Sequence, residues 1–304
     1  MSLETDLLLD RRRLKRRLFF WRGATILVLL LAILAAGRGR LGIDSAHIER
    51  LNVSGIITDD RKLIEAISSL ADRSSVKALI VSIDSPGGTV AGGESLYEAI
   101  SRVAAIKPVV AVMAGTAASA GYMIAMPAAR VFAREATLTG SIGVILETGE
   151  ASGLLKNIGI SAEAITSGPL KDQPNPAHPL SEPGRAVLKG LVMDMYEQFV
   201  AMVAKGRHLS PERVRELGDG RAYTGRQALG LGLIDAIGGE REARQWLATQ
   251  GVAATLPVED LSGAGLAERT FRGSNGILGT VWKSVFSQGV TLDGALALWQ
   301  PSRN

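Results

Sequence analysis

The sequence predicts an α/β fold of repeated βαβ units preceded by a single transmembrane helix. Three observations carry that expectation. Apolar runs rich in β-branched residues alternate with segments of helical spacing; three glycine-rich turns interrupt this alternation; and an apolar stretch of membrane-spanning length adjoins a run of arginines. At 304 residues and 46% hydrophobic, the chain supports one substantial core. It contains no cysteine, so disulfides and thiolate chemistry are excluded.

From the N-terminus, residues 1–17 form a basic segment that is expected to be cytoplasmic. Residues 1–22 hold the whole net charge of +4, which leaves the body neutral and points away from nucleic acid as a partner. Leu18 to Gly37 is predominantly apolar, with Arg22 as its only charge. Twenty helical residues rise about 30 Å, the thickness of a hydrocarbon core. Arginines on the N-terminal side then place everything after the linker 38–45 outside the membrane. A cleaved signal peptide has the same charge and apolar order, but Leu34 stands where its cleavage pattern needs a small residue.

Residues 46–250 are the predicted catalytic domain. His47 to Ile57 reads as a strand, and Leu63, Ile64, Ile67 and Leu70 set a helix between Asp60 and Asp72. Val76 to Ile83 is a strand ended by Asp84-Ser85-Pro86-Gly87-Gly88. A helix from Glu94 to Ile106 and a strand from Pro108 to Ala114 follow, which makes the sheet largely parallel. Further on come a short strand at Val131 to Ala133, a helix near Ala151 to Ile158, a strand near Ser161 to Ile165 and a proline-rich loop at 167–184. A long helix from Arg185 to Lys205 and shorter ones near Pro211 and Gly225 complete the domain. Residues 251–304 form a C-terminal extension without a clear pattern.

The second glycine-rich turn, Ala117-Ala118-Ser119-Ala120-Gly121-Tyr122, sets Ser119 among small residues between a strand and a helix, as a nucleophile or as a helix N-cap. Gly87 and Gly88 can present backbone N–H groups to an oxyanion, or simply form a turn. A serine nucleophile needs a base. His47, His178 and His208 read better as surface or capping residues. Lysine serves only when held neutral; unperturbed, about one in two thousand is neutral at pH 7, and burial raises that fraction. Lys171, in the stiff loop Gly168-Pro169-Leu170-Lys171-Asp172-Gln173-Pro174, is the candidate, the alternative being an ordinary solvated lysine.

The order of Asp84-Ser85-Pro86-Gly87-Gly88, the Ser119 turn, Thr139-Gly140-Ser141-Ile142-Gly143-Val144 and Ser167-Gly168-Pro169-Leu170-Lys171-Asp172 resembles the signal peptide peptidase A family. The likeness extends over about residues 46–245, taking in Val203 to Arg207, Gly220 to Gly225 and Gly232 to Asp235. It implies a Clp protease/crotonase-type fold and a Ser/Lys-dyad endopeptidase without metal or cofactor. Ser119 is then the nucleophile, Lys171 the base, Ser141 the residue that orients the lysine, and Gly87 with Gly88 the oxyanion hole. It also implies apolar peptides such as spent signal peptides as substrate, the bacterial inner membrane as location and a homo-oligomer, since this is a short, single-copy form. Ala120 departs from the glycine that many relatives carry there. Competing readings are a crotonase-like acyl-thioester enzyme, a non-catalytic membrane scaffold, and a protease acting on misfolded membrane proteins or another peptide pool.

Overall fold

The computed structural model describes residues 19–27, 45–261 and the backbone of 296–298. Most of the expected anchor at 18–37 lies outside the described residues. Residues 19–27 are helical, and no helix among the described residues is long and apolar enough to cross a membrane. The chain divides into two units, Met1–Ser45 and Ala46–Asn304.

In the second unit the element order is β1 (His47–Ile57), α1 (Arg61–Ser69), β2 (Val76–Thr89), α2 (Val90–Ala104), β3 (Val109–Ala118), α3 (Ala120–Met123), β4 (Arg130–Ala133), β5 (Leu138–Gly140) and α4 (Ser152–Asn157). There follow α5 (Glu182–Arg207), α6 (Pro211–Leu217), β6 (Ala222–Thr224), α7 (Gly225–Gly230), β7 (Ala236–Ile237), α8 (Glu240–Thr249), β8 (Val258–Asp260) and β9 (Leu296–Leu298). One sheet runs β6-β5-β3-β2-β1-β8, with β4 and β7 continuing beside β3 and β9 attached to β2. All pairings are parallel except β5 with β6 and β2 with β9.

Helical cover on both faces explains why the central strands are apolar throughout, as buried parallel strands are. Side chains alternate across the sheet. Leu79, Val81 and Ile83 pack with the larger core that includes Leu96, Ile100, Met123 and Phe199. Ala78 and Ile80 face the opposite way, against Val110, Phe132, Ala243 and Leu247. Asp60 caps α1 by accepting from the Lys62 and Leu63 N–H groups, and Thr89 caps α2 through the Gly92 N–H.

Several expectations need correction. β2 does not end at Ile83 but continues through Pro86 to Thr89, because β1 stays paired with it as far as Ile57 opposite Gly88. Pro86, which has no N–H to give, falls in the register shift between Ser54 and Ile56. No strand forms at Ser161 to Ile165: that run is exposed and has no neighbouring strand, so its apolar residues have nothing to pair with. His47 is not a surface residue. It is 2% exposed, with Nε2 3.0 Å from the buried carboxylate of Glu49. Residues 258–260 are not a separate extension of the fold, since β8 joins the sheet beside β1.

The far end of α5 is fixed by a largely buried ion pair. The Arg207 guanidinium donates to both carboxylate oxygens of Asp235, at 2.8 and 2.7 Å, and to the Gly232 carbonyl at 2.9 Å. Asp235 also accepts from the Val131 N–H at 2.7 Å. Burial pushes the Asp235 carboxyl up, but the Arg207 bonds and charge and the Val131 N–H outweigh it and hold it below the usual range. This contribution is complete above the ordinary aspartate pKa of about 3.9 and is lost as pH falls through the lower folded value. Asp235→Ala leaves a buried guanidinium without its partner and is expected to cost about 2–4 kcal/mol. Thermal unfolding of parent and variant should show that gap near neutrality and its narrowing below about pH 4.

Candidate active site

The site is built where β3 leaves the sheet. Parallel strands deliver their C-terminal ends to one edge, where open α/β sheets place their chemistry. β3 pairs with β2 up to Ala117 opposite Ser85, and with β5 up to Ala118 opposite Gly140. The three glycine-rich turns therefore converge: Ser85 to Gly88 on one flank of β3, Gly140 and Ser141 on the other, and Ser119 between them.

Ser119 stands at the elbow between β3 and α3 with φ 54° and ψ −121°, a strained backbone for a residue with a Cβ. Its N–H donates to the Gly140 carbonyl at 2.8 Å, while its own carbonyl accepts from the Tyr122 and Met123 N–H groups, both at 2.9 Å. These bonds hold the elbow. The hydroxyl does something different. Ser119 is 1% exposed, yet its Oγ has no hydrogen-bond partner among the described residues and caps no helix N–H. The N-cap alternative is thereby removed. A buried hydroxyl left unpaired costs about 1–3 kcal/mol, and such groups in native folds call for a functional explanation.

The flanks are braced by residues whose roles the sequence did not reveal. Gly121 lets α3 lie on β2, for a Cβ there would come 2.9 Å from the Ser85 carbonyl oxygen. Tyr122 is fully buried and donates its hydroxyl to the Leu233 carbonyl at 2.7 Å; burial holds its phenol above the ordinary value. Thr139 donates to the Ala117 carbonyl at 2.8 Å, tying β5 to β3. Gly140 (φ 76°) and Ser141 (φ 48°) turn the chain sharply, and the Ser141 N–H donates to the Arg221 carbonyl at 3.0 Å. The Tyr223 ring fills the space that a side chain at 140 would need. These residues all sit in the motifs that carried the resemblance, but their signal there is of mutual bracing, which only the three-dimensional arrangement exposes.

The structure thus brings together Ser119, Ser141, Gly87 and Gly88. It does not bring Lys171 to Ser119. Lys171 is exposed, in a turn closed by its N–H to the Gly168 carbonyl at 3.1 Å, and makes no bond to the Ser119 hydroxyl. No histidine, His178 included, bonds to that hydroxyl either. His47 opens β1 at the opposite end of the parallel sheet, about 30 Å away along the strands at some 3.3 Å per residue. His208 caps the C-terminus of α5 in a left-handed conformation. Among the described residues no group of acidic or histidine side chains is arranged to hold a metal ion.

Residues 101–254, half of the chain, match the family described as Peptidase family S49. The chain belongs to that family. By class the S49 chain is a serine peptidase. Its relatives include a Synechocystis protein provisionally named protease slr0021, 41% identical over 203 residues, which cover 66% of this chain and 73% of the relative. An Enterococcus faecium protein provisionally named signal peptide peptidase SppA is 34% identical over 216 residues, covering 66% of this chain and 63% of the relative. Among solved structures, a mutant of ClpP1 from Listeria monocytogenes aligns with a TM-score of 0.42 and 18% identity, over 64% of this chain and 92% of that one. The S49 match begins at residue 101 and ends at 254, so β1 and the first half of the site lie outside it, while Ser119, Ser141 and Lys171 lie inside.

Proposed function

We propose that this S49 peptidase is a homo-oligomeric endopeptidase of the bacterial inner membrane, anchored through residues 18–37, that degrades apolar peptides of the signal-peptide class. The observation that carries the reading is the Ser119 hydroxyl: buried, strained at its backbone and without a partner among the described residues. In the reaction the Lys171 amine takes the Ser119 proton as Oγ attacks the peptide carbonyl carbon. The N–H groups of Gly87 and Gly88 receive the oxyanion, that of Gly87 giving up the bond it donates to the Ser85 hydroxyl at 3.1 Å, and the lysine passes the proton to the leaving amine. Water, deprotonated by the same lysine, then releases the acyl group. Ser141 orients the lysine.

Assembly supplies what a single chain leaves open. Apolar side chains stand exposed in the segments that precede and follow the Lys171 loop in sequence: Leu154, Ile158, Ile160, Ile165 (98% exposed) and Leu191. Exposed apolar side chains in this number support burial against another copy. Lys171 would be covered in the same event. Small and apolar neighbours of Ser119, among them Ala117, Ala118, Ala120 and Met123, support a preference for alanine- and leucine-rich peptides.

The test is hydrolysis of a leucine-rich fluorogenic peptide by the full chain and by Lys171→Ala; an unchanged rate in the variant discards Lys171 as base. Which copy supplies the lysine is read by mixing. Ser119→Ala and Lys171→Ala chains, each inactive alone, are expected to regain roughly a quarter of parental activity when unfolded and refolded together, as random assembly pairs an intact serine with a neighbour's intact lysine. No regain places the lysine in the same chain as its serine. For the anchor, the full chain should stay with membranes through a carbonate wash, and release into the soluble fraction would count against it. Peptides trapped on Ser119→Ala identify the client: intact membrane proteins without signal peptides would favour the quality-control reading.

A further inference from the structure

β2 reaches the site through an irregularity. Ser54 of β1 lies opposite Asp84 and Ile56 opposite Gly87, so β2 spends two residues, Ser85 and Pro86, against Gly55 alone. Such a bulge breaks the ladder and re-aims the chain beyond it, here the Gly87-Gly88 pair. A side chain stands in for the missing ladder bonds. The Ser85 hydroxyl has one proton, and of two carbonyls in reach the Gly55 oxygen, at 2.6 Å, is nearer than that of Gly87, at 3.2 Å. Its oxygen in turn accepts the Gly87 N–H at 3.1 Å. The hydroxyl therefore bridges the Gly87 N–H to the Gly55 carbonyl, and it does so fully buried. Both ends of the bridge are glycines at positive φ, 123° at Gly87 and 71° at Gly55. With no Cβ to restrict them, their orientation is set by what they bond to. Ser85 also meets the other half of the site. It lies opposite Ala117 of β3, and its carbonyl oxygen is the atom that a Cβ at Gly121, two residues after Ser119, would strike.

We infer that Ser85 is the positioning residue of the oxyanion hole, its hydroxyl setting how the Gly87-Gly88 backbone faces Ser119; this rests on the reading of Ser119 as nucleophile and of the glycine pair as oxyanion donors. One buried serine joins those glycines to β1 on one side and to the nucleophile elbow on the other. When the Gly87 N–H passes to the oxyanion, the bond from Ser85 to the Gly55 carbonyl remains, and the bulge keeps its shape. Ser85 touches no substrate atom in this role. Its loss is felt where charge develops on the carbonyl oxygen, in the transition state, and hardly at all in binding the peptide.

The experiment uses the full chain carrying Ser85→Ala and, beside it, Ser85→Cys, which fills the space with a thiol that bonds only weakly; the chain has no other cysteine. Outright loss of an oxyanion donor costs about a hundred- to a thousandfold in kcat, and a donor still present but misdirected should cost about ten- to a hundredfold. Both variants are expected to show that fall in kcat on a leucine-rich peptide, with KM within about twofold of the parent. A second readout compares inhibition by a leucine-rich peptide aldehyde with inhibition by the same peptide as its amide. On the aldehyde, Ser119 Oγ bonds to the carbonyl carbon, the serine proton passes to the Lys171 amine, and the carbonyl electrons move to the oxygen that the hole receives. The advantage of aldehyde over amide should shrink in the variants by about the factor seen in kcat, while the amide binds all three proteins alike. Unchanged kcat in both variants, or kcat and KM altered together with the aldehyde advantage intact, would overturn the inference and leave the peptidase reading standing. A parent chain that hydrolyses nothing and gains nothing from the aldehyde overturns both.

Discussion

Replacing Ser119 by alanine is expected to abolish hydrolysis, with kcat/KM falling at least about a thousandfold, and to leave the fold as stable as before or more so. The two halves of that expectation come from one observation. Deleting a buried hydroxyl usually breaks a hydrogen bond and costs stability, but the Ser119 Oγ has none to lose among the described residues. Alanine keeps the Cβ, so the backbone at φ 54° is neither relieved nor worsened. The removed group is only a cost in the folded state, and its loss should raise Tm by about 2–4 °C for each kcal/mol recovered. Thermal unfolding beside a peptidase assay checks both halves. A serine that worked as an ordinary cap or core residue would give the reverse: activity retained and Tm lowered.

Gly88→Ala should be among the most damaging single changes to the fold. A Cβ at this position would stand 1.9 Å from the carbonyl oxygen of Ile57 and 2.5 Å from its carbon, and those are backbone atoms of the adjacent strand. No rotamer change relieves such a clash, so β1 and β2 must separate where they carry the site. We expect a loss of at least about 3 kcal/mol, seen as a fall of several degrees in Tm, together with loss of hydrolysis. Gly153→Ala is the matching control. Nothing lies within 4 Å of a Cβ there, and a helical alanine is favoured over glycine, so Tm should hold or rise slightly. Because Gly88→Ala acts through strand separation, its inactivity reports the packing of the site and not the oxyanion contact itself.

What the sequence makes legible follows from how local each signal is. β1 is found from His47 to Ile57 as expected, and α5 from Glu182 to Arg207 extends the predicted long helix by a few residues at each end, where Ser181 caps it and His208 stops it. Both are set by their own residue patterns. β2 runs past its predicted end because a partner strand holds Pro86, Gly87 and Gly88 extended, and that partner is some thirty residues away in sequence. β5, β8 and β9 each have only three residues, too few for periodicity, and exist because a neighbouring strand offers an edge. Conversely, Ser161 to Ile165 has the composition of a strand and no edge to join.

The site divides in the same way. Ser119, Ser141, Gly87 and Gly88 are legible because each lies in a glycine-rich turn, and β3 pairing with β2 and β5 assembles them. The braces Tyr122, Thr139 and Tyr223 are not, since their bonds run to carbonyls that sequence spacing does not bring near. Lys171 is the converse case: its motif singles it out, while the fold of one chain leaves it exposed.

The central claim is that Ser119 is an activated nucleophile, and a fluorophosphonate probe tests it most directly. Incubated with the full chain and followed by mass spectrometry, the probe should add once per chain, map to Ser119, be absent from Ser119→Ala and be much reduced in Lys171→Ala. Unaltered labelling of Ser119→Ala, or no labelling of an oligomeric parent protein, would contradict the account.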